Sequence, residues 1–97
     1  MNINKYYEGT RLTVVLSGRL DTVTAPELDA ELADLERVNE LVIDMKELDY
    51  VSSAGLRVLL SAHKRMMRAG RMVIINVNEL IGEVFEVTGF NEVFNIE

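Results

Sequence analysis

Glu40-Leu41-Val42-Ile43-Asp44-Met45-Lys46-Glu47-Leu48-Asp49-Tyr50-Val51-Ser52-Ser53-Ala54-Gly55-Leu56 is the stretch from which the fold is read. Its first part, Glu40 to Met45, is short, apolar and partly β-branched, as a buried strand requires. Leu48 to Val51 carries the chain on to adjacent hydroxyls and a glycine. A helix then opens, with Leu56, Leu59, Leu60, His63 and Met67 on one broad face. Gly70 is its expected C-cap, and Lys64, Arg65 and Arg68 sit in the last turns, where cations suit the helix dipole. A strand that leads through a hydroxyl-bearing loop straight into a helix is the repeating step of an α/β layer fold.

The same alternation extends outward. Towards the N-terminus, Ile3 to Tyr7 and Arg11 to Ser17 flank Glu8-Gly9-Thr10, which reads as a β-hairpin, with Gly18 ending the second strand. Thr24-Ala25-Pro26-Glu27 predicts a helix start: Thr24 as cap, Glu27 closing a capping box, Pro26 in the first turn. Leu28, Leu32 and Leu35 recur at helical spacing. Towards the C-terminus, Arg71 to Asn76 predicts a strand. Asn78 is expected to cap a third helix carrying Leu80, Ile81, Val84 and Phe85, ended by Gly89. Phe90, Val93, Phe94 and Ile96 close the chain as a short strand or tail. The expected architecture is α/β: a small mixed sheet, hairpin first and parallel strands after it, packed with helices.

A chain of 97 residues, 48% hydrophobic and 27% charged, corresponds to one domain spanning residues 1–97. It has no cysteine, which excludes disulfides, thiolate metal sites and cysteine nucleophiles. No apolar run is long enough for a membrane span, and Met1-Asn2-Ile3-Asn4-Lys5 lacks a signal peptide's apolar core, so a cytoplasmic protein is expected. The net charge of −6 argues against nucleic acid as a partner. Its distribution is uneven. Tyr50 to Asn78 holds five basic residues and no acid, so it carries +5 and the remainder −11. That is either one helix with a basic solvated face or a polarised surface that orients a partner.

Nothing in the sequence assembles an enzyme. The one histidine, His63, falls on the apolar side of its helix. Ser53 lies ten residues before it, roughly 15 Å along a helix axis, too far for a nucleophile–base pair. No metal-ligand spacing, phosphate loop or dinucleotide fingerprint is present, so no catalytic residue, cofactor or metal is expected. Of Ser52 and Ser53, one is expected to cap the helix, leaving the other over.

Several segments together resemble the STAS family, in particular the bacterial anti-sigma factor antagonists. They are Val51-Ser52-Ser53-Ala54-Gly55-Leu56, Leu16-Ser17-Gly18-Arg19-Leu20-Asp21, Leu41-Val42-Ile43-Asp44-Met45, Gly70, and Phe85-Glu86-Val87-Thr88-Gly89-Phe90. The resemblance runs along essentially the whole chain. The family's hallmark places a hydrophobic residue and Asp-Ser-[Ser/Thr]-Gly-Leu at a helix start. Here Ser52 stands in the place of the Asp, Ala54 in that of the next hydroxyl residue, and Arg57 where glycine is common.

The resemblance implies a partner-switching role. Such a protein binds an anti-sigma factor that is also a serine kinase, which frees the sigma factor. The kinase phosphorylates the serine two before the motif glycine, Ser53 here, and a phosphatase reverses the step. The expected partner surface comprises Asp21, Ser52, Ser53, Ala54, Gly55 and Arg57. The alternative within the family is an interaction subunit that is not phosphorylated, as in lipid-transport or stressosome-like assemblies. For Asp21 a turn or auxiliary capping role stands equally open. Arg57, four residues after Ser53, shares its helix face and presents a fork that suits phosphate oxygens.

Overall fold

Leu12, Val14 and Leu16 are fully buried, whereas Thr13, Val15 and Ser17 between them are partly open, so the second strand of the hairpin has one face in the core. In the computed structural model, which describes residues 1–97, β1 (Asn2–Glu8) and β2 (Arg11–Leu20) form that hairpin. The chain continues through α1 (Ala25–Glu31), β3 (Glu40–Val51), α2 (Ser53–Ala69), β4 (Arg71–Ile75) and α3 (Glu79–Thr88). A short 3-10 turn (Phe90–Glu92) then leads to β5 (Asn95–Ile96). The five-stranded sheet has the order β1-β2-β3-β4-β5, antiparallel between β1 and β2 and parallel thereafter.

Sequential strand order with right-handed crossovers places successive helices on the same face of a sheet. The burial pattern agrees. One cluster of 23 buried residues joins Leu28 of α1, Leu56, Leu59 and Met66 of α2, and Ile81 and Phe85 of α3 to Leu41, Ile43, Met72 and Ile74 of the sheet. Val42 and Val73, which point to the opposite side, are buried but lie outside that cluster. The tail closes one end of the core. Phe94 stacks on Phe90 at 5.2 Å and meets Phe85 and His63 edge-on at 5.6 and 5.7 Å. No helix is long and apolar enough to cross a membrane.

β2 does not stop at Gly18. The register with β3 shifts between Val15 and Ser17 and again between Gly18 and Arg19, and both extra residues lie on β3. Such bulges turn a strand and change which side chains face inward. That is why Met45, Leu48 and Val51 are all buried although they are three apart. Gly18, at φ 94, lies at the second shift, where a side chain would be strained. The outcome is that Leu20 and Val51 end opposite each other.

Other expectations need correction. Thr24 makes no side-chain cap and the capping box with Glu27 does not form: its backbone is helical rather than extended, and its Oγ1 is engaged in the preceding loop, accepting from Asp21 N at 2.9 Å and donating to Arg19 O at 2.7 Å. α1 is short: Leu32 and Leu35 lie beyond it, yet both are buried. On α2 the inward methionine is Met66, not Met67, which is 68% exposed. Leu80 of α3 is likewise exposed. The cap at Asn78 forms, its Oδ1 accepting from Ile81 N at 2.9 Å, and Gly89 ends the helix in the left-handed region.

Candidate functional site

In open sheets with parallel strands, loops at the carboxyl ends of the strands are where ligands and partners are met. β2 and β3 end side by side, and Ser52 N donates to Leu20 O at 2.8 Å, which ties the start of α2 to the end of β2. The two loops that follow, Asp21–Thr24 and Ser52–Ser53, therefore become neighbours although they are far apart in sequence.

Asp21 organises the first loop. Its Oδ1 accepts from Val23 N at 3.0 Å, from Thr24 N at 3.1 Å and from the Thr24 hydroxyl at 3.2 Å. Asp21 N in turn donates to Thr24 Oγ1 at 2.9 Å. The backbone N–H of Thr24 is the main cause holding the carboxyl below its ordinary range, with Val23, the Thr24 hydroxyl and the Arg19 charge adding to it. The Arg19 guanidinium lies 3.7 Å from Asp21 Oδ2 and 4.3 Å from the centre of the Tyr50 ring. Asp21 thus has the turn-forming role, and its half-exposed carboxylate still borders the surface. Val23, 79% exposed, projects from the same loop. Arg19, Tyr50 and Val23 do not stand out in the sequence as site residues, because the Arg19–Tyr50 contact follows from strand pairing and the exposure of Val23 from the loop's turn.

The two serines divide the work. Ser52 is the N-cap of α2, its hydroxyl accepting from Gly55 N at 3.4 Å and its carbonyl from Leu56 N at 2.9 Å. Ser53, the first residue of α2, is exposed, and no intramolecular hydrogen bond engages its hydroxyl. Ala54 is half-buried and Gly55 buried. A Cβ on Gly55 would lie 2.6 Å from Leu20 Cγ, so glycine is what lets the helix start rest on the end of β2.

Arg57 is exposed and in no ion pair. It borders an open groove of about 380 Å³ between the starts of α1 and α2, whose other polar lining is Thr22, Asp29 and Ser61. Asp21, Ser52, Ser53, Ala54 and Arg57 therefore share one end of the molecule, with Gly55 beneath them. His63 belongs elsewhere: it is buried against Phe94. The site offers a free hydroxyl, a fixed carboxylate and one free cation, a set suited to recognising a protein surface.

Comparison with known proteins decides the family. The STAS domain model matches residues 2–97. The chain belongs to the STAS domain family. A Bordetella bronchiseptica protein named as an anti-sigma factor antagonist, BtrV, is 38% identical to this STAS domain over 88 residues, covering 88% of the chain and 76% of BtrV. The anti-sigma-B factor antagonist of Listeria monocytogenes is 29% identical over 104 residues, covering all of this chain and 90% of its own. Among solved structures, an anti-sigma factor antagonist from Mycobacterium paratuberculosis superposes with a TM-score of 0.87 at 21% identity, covering 98% of this chain and 83% of the other. SpoIIAA in its unphosphorylated form gives 0.74 at 17% identity, covering 95% and 97%. The STAS domain thus shares both its fold and its sequence family with anti-sigma factor antagonists.

Proposed function

We propose that this STAS domain is a cytoplasmic anti-sigma factor antagonist. It binds an anti-sigma factor that is also a serine kinase, releases the sigma factor, and is switched off by phosphorylation of Ser53. The contact is made by Asp21, Ser52, Ser53, Ala54 and Arg57, with Gly55 holding the helix start in place. The observation that carries this reading is the division between the serines: Ser52 is committed to the cap, and Ser53 presents a free hydroxyl on the first residue of α2. In the switching step Ser53 Oγ bonds to the γ-phosphorus of ATP, the bond to ADP breaks, and the hydroxyl proton passes to a base on the kinase. A phosphatase hydrolyses the product. The names of BtrV and the Listeria relative support the antagonist role.

A phosphate at Ser53 adds about −1.5 to −2 charges at the positive end of a helix, which tolerates it, so the domain stays folded. The partner, however, meets a dianion where a small hydroxyl had been. Loss of about 2.7 kcal/mol there weakens binding on the order of 100-fold. The test is incubation with the cognate anti-sigma factor and ATP, followed by intact mass and peptide mapping. One phosphate on Ser53, none on Ser53→Ala, and weak binding by folded Ser53→Asp are expected. Phosphate on Ser52 instead would refute the assignment. Tight binding with no phosphate transfer would favour the unphosphorylated interaction subunit, a reading supported by Ser52 in place of the family's Asp.

A further inference from the structure

α2 has no acidic residue among its 17, in a chain with 16 acids elsewhere. Its exposed cations are Arg57, Lys64 and Arg68, and none of them is in an ion pair. Arg65 is different, since its Nη1 donates to Leu32 O at 2.8 Å and so turns towards the end of α1. At about 100° per residue, Ser53, Arg57, Leu60, Lys64, Met67 and Arg68 fall within one sector of roughly 100°, opposite the buried face of Leu59, Ala62 and Met66. Lys64 and Arg68 are like charges four apart, an arrangement that weakens an isolated helix. A face serving only solubility would alternate its signs.

We infer that this stripe is a docking surface for an acidic face of a protein, and that its far end contributes equally to binding in both phosphorylation states. The inference rests on the reading that an anti-sigma factor approaches Ser53. Charge complementarity names the chemistry of the occupant. The half-buried Leu60 and the exposed Met67 set among the cations favour a protein over a polyanion, because Met and Arg are enriched at protein interfaces. A net charge of −6 opposes DNA and anionic lipid alike. From Ser53 to Arg68 the stripe runs about 22 Å along the axis and, at about 10 Å width, covers roughly 220 Å², about a quarter of one side of a standard interface of about 800 Å². Lys64 and Arg68 lie about 16 and 22 Å along the axis from Ser53, beyond the screening length of about 8 Å at physiological salt. A phosphate on Ser53 therefore leaves their charge in force, while Arg57, about 6 Å away, feels it. The far end sets how tightly the partner is held, and the near end sets the switch.

The experiment measures binding of the cognate anti-sigma factor by calorimetry at low and high salt. The chains compared are wild type, Lys64→Glu/Arg68→Glu, and the milder Lys64→Gln/Arg68→Gln, each also with Ser53→Asp, after melting curves confirm folding. A 20-base-pair DNA duplex and phosphatidylserine vesicles serve as competing probes. The expected result is a loss of about tenfold or more for the Glu pair and a smaller loss for the Gln pair. Both losses shrink as salt rises and are the same factor with and without Ser53→Asp. Unchanged affinity with Ser53 still phosphorylated overturns the docking surface and leaves the switch standing. A loss confined to DNA or vesicles also overturns it. If charge reversal weakens the complex but Ser53 is neither phosphorylated nor sensitive to Ser53→Asp, the surface stands and the switch fails.

Discussion

Gly55 and Leu20 are in contact that only a missing side chain permits: a Cβ on Gly55 would come within 2.6 Å of Leu20 Cγ, 2.9 Å of Leu20 Cδ2 and 3.1 Å of Val51 Cγ2. Leu20 is fully buried and Val51 nearly so, which leaves both little room to move. The contact seats the first turn of α2 on the paired ends of β2 and β3, and so fixes where Ser53 stands. Gly55→Ala is expected to destabilise the domain by about 1–3 kcal/mol through overpacking. Chemical denaturation measures it. A change under about 0.5 kcal/mol, the size of an ordinary surface substitution, would show that the helix start is free to shift.

The serines can be separated by stability alone. Ser52→Ala removes the cap and is expected to destabilise by about 1 kcal/mol. Ser53→Ala removes an unengaged hydroxyl and should stay within about 0.5 kcal/mol of wild type. Ser52→Asp keeps an acceptor and adds charge at the helix's positive end, so it should match or exceed wild type. Equal losses for both alanine variants would contradict the division of roles seen in the hydrogen bonds.

Asp21 makes stability depend on pH in a stated direction. Its carboxyl lies below the ordinary value of 3.8 in the folded chain, chiefly because the Thr24 N–H donates to it. A group depressed on folding contributes stability above its unfolded value, and that contribution is lost as pH falls through the folded value. Asp21→Asn keeps an acceptor and removes the titration. Urea midpoints measured down from neutral pH should therefore fall less steeply for Asp21→Asn than for wild type below pH 3.8. Parallel curves would show that the loop's hydrogen bonds do not depend on the charge.

Arg57 is free to answer a phosphate on Ser53, being exposed, unpaired and one helical turn away. The pairing is expected to add about 0.5–1 kcal/mol at this solvated site. Melting of phosphorylated and unmodified forms of wild type and Arg57→Gln forms a cycle that isolates it. An equal shift on phosphorylation in both would mean that Arg57 does not sense the phosphate.

Periodicity and punctuation in the sequence determined the alternation of strands and helices, a serine cap at Ser52 or Ser53, the cap at Asn78, the ending of α3 at Gly89, and the placing of the serine pair at a helix start. These are local: side-chain spacing, a capping oxygen three residues from its donor, or a glycine with a positive φ acts within a few residues and needs no distant partner. Tertiary structure alone decided the rest. Thr24 makes no cap because its Oγ1 accepts from Asp21 N at 2.9 Å and donates to Arg19 O at 2.7 Å, both in the loop before the helix. Met66 and not Met67 faces inward because the sheet fixes which sector of α2 is buried. The two bulges on β3 bring Val51 beside Leu20, and so set the loop that begins at Asp21 beside the start of α2, where Ser52 N donates to Leu20 O. An extra residue in one strand becomes visible only against the register of its neighbour, and that register forms when strands far apart in sequence pair.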